Sequence, residues 1–398
     1  MRSAVNPFLP LNEYIADGEP HVFGDRVYLF GSHDKEDGDT YCMLDYTVWS
    51  APVTDLTDWS CSGITYRASQ DPLYDQEKMP YMYAPDVVKG NDGKYYLYYC
   101  MSGNKGKGGY SNPVSVAVSD RPDGKYEYLG VVRNPDGTPM KQFVCFDPAV
   151  INDNGMIRLY YGTWYSFGEH QHFWNRWLFD QIQMKMFDRS AEEIHKTPEG
   201  IMGAFQVELE NDMVTAKTLP VRILPYRVKG TEFESHPFYE GSSIRKIGNT
   251  YYFIYSSSLN HELCYATSRY PDREFHFRGV IISNGDIGYH GRKPKERLNY
   301  TGTNHGSIEK IGNQWYVFYH RLTHYSDYSR QACHEYFERE KAAIRDILLL
   351  YICKCGGDRK RGVFRSDDCY GGEVCMAFYL HASGKRSGER ADGDSRAA

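Results

Sequence analysis

"EGSSIRKIGNTYYFIYSS" occupies residues 240–257, and "HGSIEKIGNQWYVFYHR" occupies residues 305–321. Both run a short apolar strand into a Gly-Asn turn and out along an aromatic strand; only the opening residue differs in kind. Upstream the phrase recurs as "DGEPHVFGDRVYLF" from Asp17, "DVVKGNDGKYYLYY" from Asp86 and "DPAVINDNGMIRLYY" from Asp147. The turn dipeptides are Gly24-Asp25, Asp92-Gly93, Asn154-Gly155, Gly248-Asn249 and Gly312-Asn313. Such dipeptides between β-rich runs are a strong local hairpin signal.

The openers stand 69, 61, 93 and 65 residues apart, at positions 17, 86, 147, 240 and 305. A period near sixty residues holds a hairpin and two further strands, which is one propeller blade. The spacing predicts an all-β chain, a five-bladed β-propeller over residues 1–333 with the innermost strand of each blade starting at its opener. The long interval accommodates an insertion at about 164–205, rich in Trp, His and Phe ("WYSFGEHQHFWNRW"). After Cys333 the alternation stops. Residues 334–398 read as an irregular or helical tail in which Cys and Arg crowd together; a shifted reading frame or a truncated gene end is one reading, a native appendage or a disordered end the other. Cys353, Cys355, Cys369 and Cys375 have poor spacing for zinc.

Composition narrows the partners. The 398 residues carry a net charge of −6, with 41% apolar and 25% charged residues, and no basic stripe marks the first 330. Nucleic acid is not expected as a partner. No apolar run is long enough to span a membrane. The N-terminal stretch lacks the apolar core of a secretion signal, so the ten cysteines read as free thiols and the location as cytoplasmic. Tyr 35, Phe 19 and Trp 6 suit half-buried strands, and also sugar rings, which take an apolar face beside a polar tip.

In a propeller the inner strands start around one funnel, so Asp17, Asp86, Asp147, Glu240 and His305 should converge there. Four carboxylates and a histidine repel and desolvate one another, which points to chemistry. Glycoside hydrolysis needs one carboxyl kept protonated and another ionised on the opposite face of the sugar. A neighbouring carboxylate can raise the pKa of the acid.

The order "ADGEP", "YAPDV", "FDPAV", "YEGSSI", "HGSI" resembles glycoside hydrolase family 43 over about residues 6–333. The resemblance implies a five-bladed propeller and an inverting exo-glycosidase on α-L-arabinofuranosides or β-D-xylosides. It implies Asp17 as general base, Asp147 as the carboxylate that tunes and orients the acid, and Glu240 as general acid. It implies Arg330, in "SRQACH", as a donor to sugar hydroxyls, a task for which the guanidinium fork is suited. His305 matches a histidine near the channel axis that helps hold a calcium or other ion; the chemistry itself needs no cofactor. Tyr83, Asp86 and Trp164 complete the candidate substrate-binding set. Tyr83 takes the place of the usual Trp, Asp86 reads mainly as structural, and Trp164, with Phe173 and Trp174, forms either a stacking wall or a packing contact. Gly18 replaces the usual Pro after the base.

Inversion sets the two catalytic carboxyls roughly 6.5–9.5 Å apart, leaving room for water. The expected substrate is a plant-derived oligosaccharide; the sequence leaves the sugar, the linkage and the oligomeric state open. Alternatives are a non-catalytic carbohydrate-binding propeller and a related hydrolase or phosphorylase. A retaining fructosidase would show Asn-Asp-Pro-Asn and Arg-Asp-Pro, absent here. A phosphorylase would want basic residues near the acid, where only Arg245 and Lys246 follow along the strand.

Overall fold

Hairpins form where the dipeptides put them. The computed structural model describes residues 6–103, 110–165, 176–323 and 326–337, with the backbone of 351–353 and 375–377. Asn154 (φ 53) and Gly155 (φ 91) both take the left-handed backbone of a type I′ turn. Gly24, Gly248 and Gly312 have φ between 61 and 67 at the first of their two turn positions, where a side chain would strain the chain.

Five antiparallel sheets result, in chain order. The first is β1 (Ile15–Phe23), β2 (Arg26–His33), β3 (Tyr46–Pro52) and β4 (Ser60–Tyr66). The second is β5 (Met82–Lys89), β6 (Tyr95–Met101), β7 (Ser115–Ser119) and β8 (Glu127–Val131). The third is β9 (Ala149–Asp153), β10 (Met156–Thr163), β11 (Gly203–Leu209) and the short β12 (Val221–Arg222). The fourth is β13 (Phe238–Ile247), β14 (Thr250–Ser257), β15 (Leu263–Ser268) and β16 (His276–Ile282). The fifth holds only β17 (Ser307–Ile311), β18 (Gln314–Leu322) and β19 (Arg330–Tyr336). The arrangement is a five-bladed β-propeller. Helices α1 (Arg176–Phe187) and α2 (Ala191–Ile194) fall inside the insertion, between β10 and β11. Residues beyond Arg345 form a separate unit containing a two-stranded ladder, β20 (Tyr351–Cys353) with β21 (Cys375–Ala377).

The blades pack through aromatic layers. Tyr98, Tyr161 and Phe205 are fully buried in one inter-blade cluster, and Phe30, Tyr66 and Tyr99 in another. Complete burial of one large apolar side chain stabilises by about 1.5–3 kcal/mol, so these layers supply much of the cohesion. Inner strands are also stitched by polar contacts. Gly18 bridges Gly306 in parallel where β1 meets the approach to β17, and Ser243 Oγ donates to Ser307 Oγ at 2.6 Å.

The fifth blade is completed from the other end of the chain. Phe8 N donates to Ala332 O at 3.3 Å, and Asn6 exchanges side-chain bonds of 2.9 Å with both the N–H and the carbonyl of His334. Gln331 Nε2 donates to Leu11 O at 3.0 Å. The N-terminal segment thus covers the β19 edge. Of the tail, Cys355, Cys369 and the side chains of Cys353 and Cys375 lie outside the described residues, as do Phe173 and Trp174 of the insertion.

At this seam His334 is 3% exposed, packed between Phe8 and Phe318, and burial pushes its pKa down to about 4. The unfolded chain binds a proton there below about 6.5, the folded one only near 4, so this site loses stability as pH falls through that window. The loss is about 1.4 kcal/mol per pH unit, about 3 kcal/mol by pH 4. Replacing His334 by Phe is expected to leave stability similar at pH 7.5 and raise it relative to wild type at pH 5, measured by denaturant melts. Equal differences at both pH values would refute the buried neutral imidazole.

Candidate active site

Strain marks where the inner strands begin. Asp17 (φ 53), Ala84 (φ 39) and Asp147 (φ 44) sit in left-handed backbone, as does Gly241 (φ 72). Each non-glycine residue there costs on the order of 1–3 kcal/mol. Register shifts follow at Ala16/Glu19, Tyr83/Asp86 and Glu240/Ser243, and such bulges re-aim side chains. Glycine suits the position after Glu240: its φ is 72, and a Cβ there would stand 3.1 Å from His305 Cγ, which would have to give way.

These kinks correct the expected ring of five openers. In the second blade the kinked residue is Ala84, and Asp86, two positions later, matches Glu19 of the first blade rather than Asp17. Asp86 is buried below the cup. It accepts bonds from Val150 N and from its own neighbour Val87 N, both at 2.7 Å, and contacts His21 Nε2 at 2.6 Å. The other four openers do converge. Asp17, Asp147, Glu240 and His305 line one cavity of about 250 Å³, together with Arg330, Tyr83, Tyr41, Cys42, Tyr110, Phe146, Tyr239 and Thr303. Ligand pockets usually run roughly 300–1,000 Å³, so this one suits a single sugar-sized ring.

The cavity separates the protonation states of its carboxyls. Burial alone would push Asp17 up, but the Arg330 guanidinium, 2.9 Å away, holds it below the usual carboxylate range. Its backbone N–H donates to His320 Nδ1 at 3.0 Å, which fixes that ring nitrogen as an acceptor. Burial, with Arg330 nearby, drives His320 down to about 3, so the imidazole is neutral. Glu240 is pushed well above the ordinary range by burial and then by Asp147 and Asp17. Burial and the Asp17 charge lift Asp147 to about 8. Asp147 Oδ2 accepts the Gly241 N–H at 2.9 Å, so the carboxyl that influences Glu240 also holds the peptide after it. The neighbouring carboxylates Glu232 and Glu234 face elsewhere: Glu232 pairs with His276, and Glu234 accepts from Gly230 N.

His305 spans two levels. Its Nδ1 lies 3.8 Å from Asp17 and 4.0 Å from Asp147, while its Nε2 lies 4.0 Å from Glu19 Oε1. Both Nε2 and Glu19 Oε1 are buried without a hydrogen-bond partner, a donor set that fits a cation held directly or through water. Just below, Glu19, His21 and Asp86 offer ligand atoms within 4.8 Å of one another.

Loops between second and third strands supply residues that the repeat could not reveal. Tyr41 and Cys42 come from the β2–β3 loop and Tyr110 from the β6–β7 loop. The Tyr110 hydroxyl meets that of Tyr165 at 2.9 Å, and its ring packs on Phe146 and on Phe187 of α1. Trp164 stands outside the cavity: it is buried, with Nε1 donating to Tyr226 O at 3.1 Å. Among the described residues of the insertion, Phe187 backs the Tyr110 ring that lines the cavity.

The sequence profile of Glycosyl hydrolases family 43 matches residues 7–341, and the chain belongs to that family. It is similar to a xylosidase/arabinosidase of Thermoclostridium stercorarium, 43% identical over 337 residues, covering 83% of this chain and 63% of that protein. This chain thus matches less than two thirds of that relative's length. A xylosidase/arabinosidase of Bacteroides ovatus is 27% identical over 321 residues, covering 79% of this chain and 87% of the relative. Among solved structures, a family 43 β-xylosidase/α-arabinofuranosidase from a compost metagenome, in complex with xylotriose in a calcium-free form, superposes with a TM-score of 0.61. It is 25% identical and covers 87% of this chain and 97% of that one.

The electrostatics predict a direction. Asp147→Asn takes away the carboxylate that acts most strongly on Glu240 after burial, so the Glu240 pKa should fall. Carbon-13 NMR of labelled carboxyls should register the drop; an unchanged titration would mean that the two groups do not communicate.

Proposed function

We propose that this member of glycosyl hydrolase family 43 is an inverting exo-glycosidase that removes terminal α-L-arabinofuranosyl or β-D-xylosyl residues from oligosaccharides. One observation carries the reading: a cavity in which Asp17 is held ionised while Glu240 is held protonated. A pure binding propeller has no use for that separation. The relatives called xylosidase/arabinosidase, and the one that holds xylotriose, support the choice of pentose.

In the reaction Asp17 takes a proton from water as the oxygen attacks the anomeric carbon. The bond to the leaving oxygen breaks and that oxygen takes the proton of Glu240, so the anomeric centre inverts. Asp17 ends protonated and Glu240 ionised; exchange with solvent resets both. Asp147 keeps the acid protonated and its backbone in place, and Arg330 restrains the base. Tyr83, Tyr110 and Phe146 offer ring faces to the sugar. Where a cation is bound, His305 Nε2 and Glu19 Oε1 would hold it, and it would supply positive charge beneath the carboxylates. A phosphorolytic reading is disfavoured because Arg245 is engaged by Glu19 and Glu309, and Lys246 by Asp153.

Aryl β-D-xyloside and aryl α-L-arabinofuranoside are the substrates to try. Turnover of at least one is expected, with Asp17→Asn and Glu240→Gln each reducing kcat by about 10²–10⁴-fold. Proton NMR of the first-formed sugar should show the inverted anomer. Retention, or undiminished turnover by Asp17→Asn, would overturn the mechanism.

A further inference from the structure

Asp34 is nearly inaccessible to solvent and does not line the cavity, yet it governs a group that does. Its Oδ2 accepts from Arg330 Nε at 2.8 Å and from Arg330 N at 3.2 Å. Its Oδ1 accepts from Arg330 Nη2 at 3.0 Å and from Cys42 N at 2.8 Å. The fork is therefore bidentate on its Nε/Nη2 edge. Arg330 Nη2 also reaches Cys42 Sγ at 3.3 Å, and the guanidinium carbon lies 4.8 Å from the centre of the Tyr41 ring.

A guanidinium has five N–H groups. Nε uses its one on Asp34, Nη2 divides two between Asp34 and Cys42, and Nη1 gives one to Asp17 at 2.9 Å. One Nη1–H remains without an acceptor among the described residues, on a side chain that lines the cavity.

We propose that Asp34 is a positioning residue: it holds Arg330 side-on, so that the cation touches Asp17 through one nitrogen and keeps one N–H for a sugar hydroxyl. The inference rests on the hydrolytic reading above. Two full carboxylate–guanidinium forks cannot share the same edge, and Asp34 occupies the Nε/Nη2 edge. Without Asp34, Arg330 loses the acceptor shared by its Nε and Nη2 and can turn toward a bidentate pair with Asp17, which would engage both oxygens of the base.

The test is the split between kcat and KM for Asp34→Asn on whichever aryl pentoside the wild type turns over. Expected are a fall of about 10- to 100-fold in kcat/KM, part of the roughly 10²–10⁴-fold that a positioned base provides, and a raised KM, because the N–H kept for the sugar is no longer held in place. A role in stability alone would reduce the amount of active enzyme and leave KM in place, so a folded Asp34→Asn with an unchanged KM overturns the proposal. A double-mutant cycle covers the case in which that variant does not fold. In an Arg330→Gln background the pair becomes two amides, and Asp34→Asn should then cost less than about threefold in kcat/KM. A further tenfold loss in that background would show Asp34 acting apart from Arg330 and would also overturn it. A wild type silent on both aryl pentosides would overturn the hydrolytic reading itself, which is a separate result from an active wild type whose Asp34→Asn variant keeps the same KM.

Discussion

Seven carboxyl groups crowd the axis of this propeller against two guanidinium groups. Around Arg330 stand Asp17, Asp34, Asp147 and Glu240; around Arg245, deeper in, stand Glu19, Asp86 and Glu309. Charge in a buried setting is tolerated only when paired. Two cations cannot pair seven anions, so part of the excess is held as protons. Glu240 is raised well above its ordinary range, Asp147 to about 8 and Glu19 to about 7, all chiefly by burial. A protonated Glu240 in one cavity with an ionised Asp17 is thus the state that the surroundings enforce.

The backbone that permits this crowding is itself under tension. Asp17 and Asp147 adopt a conformation that L residues avoid, and each is fastened across the ring: Asp17 N to His320, and Asp147 Oδ2 to Gly241 N. The fastening side chains come from other blades. Stability and geometry are therefore the same set of contacts here, and the aromatic layers between blades supply the cohesion against which the strain is held.

How far the sequence could be read follows from what kind of signal each feature leaves. Turn dipeptides at fixed offsets are local, so the hairpins, the blade count and the openers Asp17, Asp147 and Glu240 were all visible before any coordinates. Asp86 was misaligned because matching Asp to Asp ignores the kink, which falls on Ala84; φ has no letter of its own. Asn6 to Leu11 show no strand alternation, and their role as the missing edge of the fifth blade depends on where the ring closes. Asp34, His320 and Tyr110 lie outside the opening positions, and only the closed ring brings them to Arg330, Asp17 and the cavity.

That closure has a consequence for how the protein comes into being. Asp17 and Arg330 are 313 residues apart in the chain, and Asn6 must meet His334 across 328. Contacts of such separation are entropically late events in folding. During synthesis the first four blades can emerge and pack while Asp17 remains unrestrained and the β1 side of the ring stays open. The last blade then delivers Arg330 and the partner of the N-terminal segment together, so the final stretch of the ring to be translated also assembles the cavity.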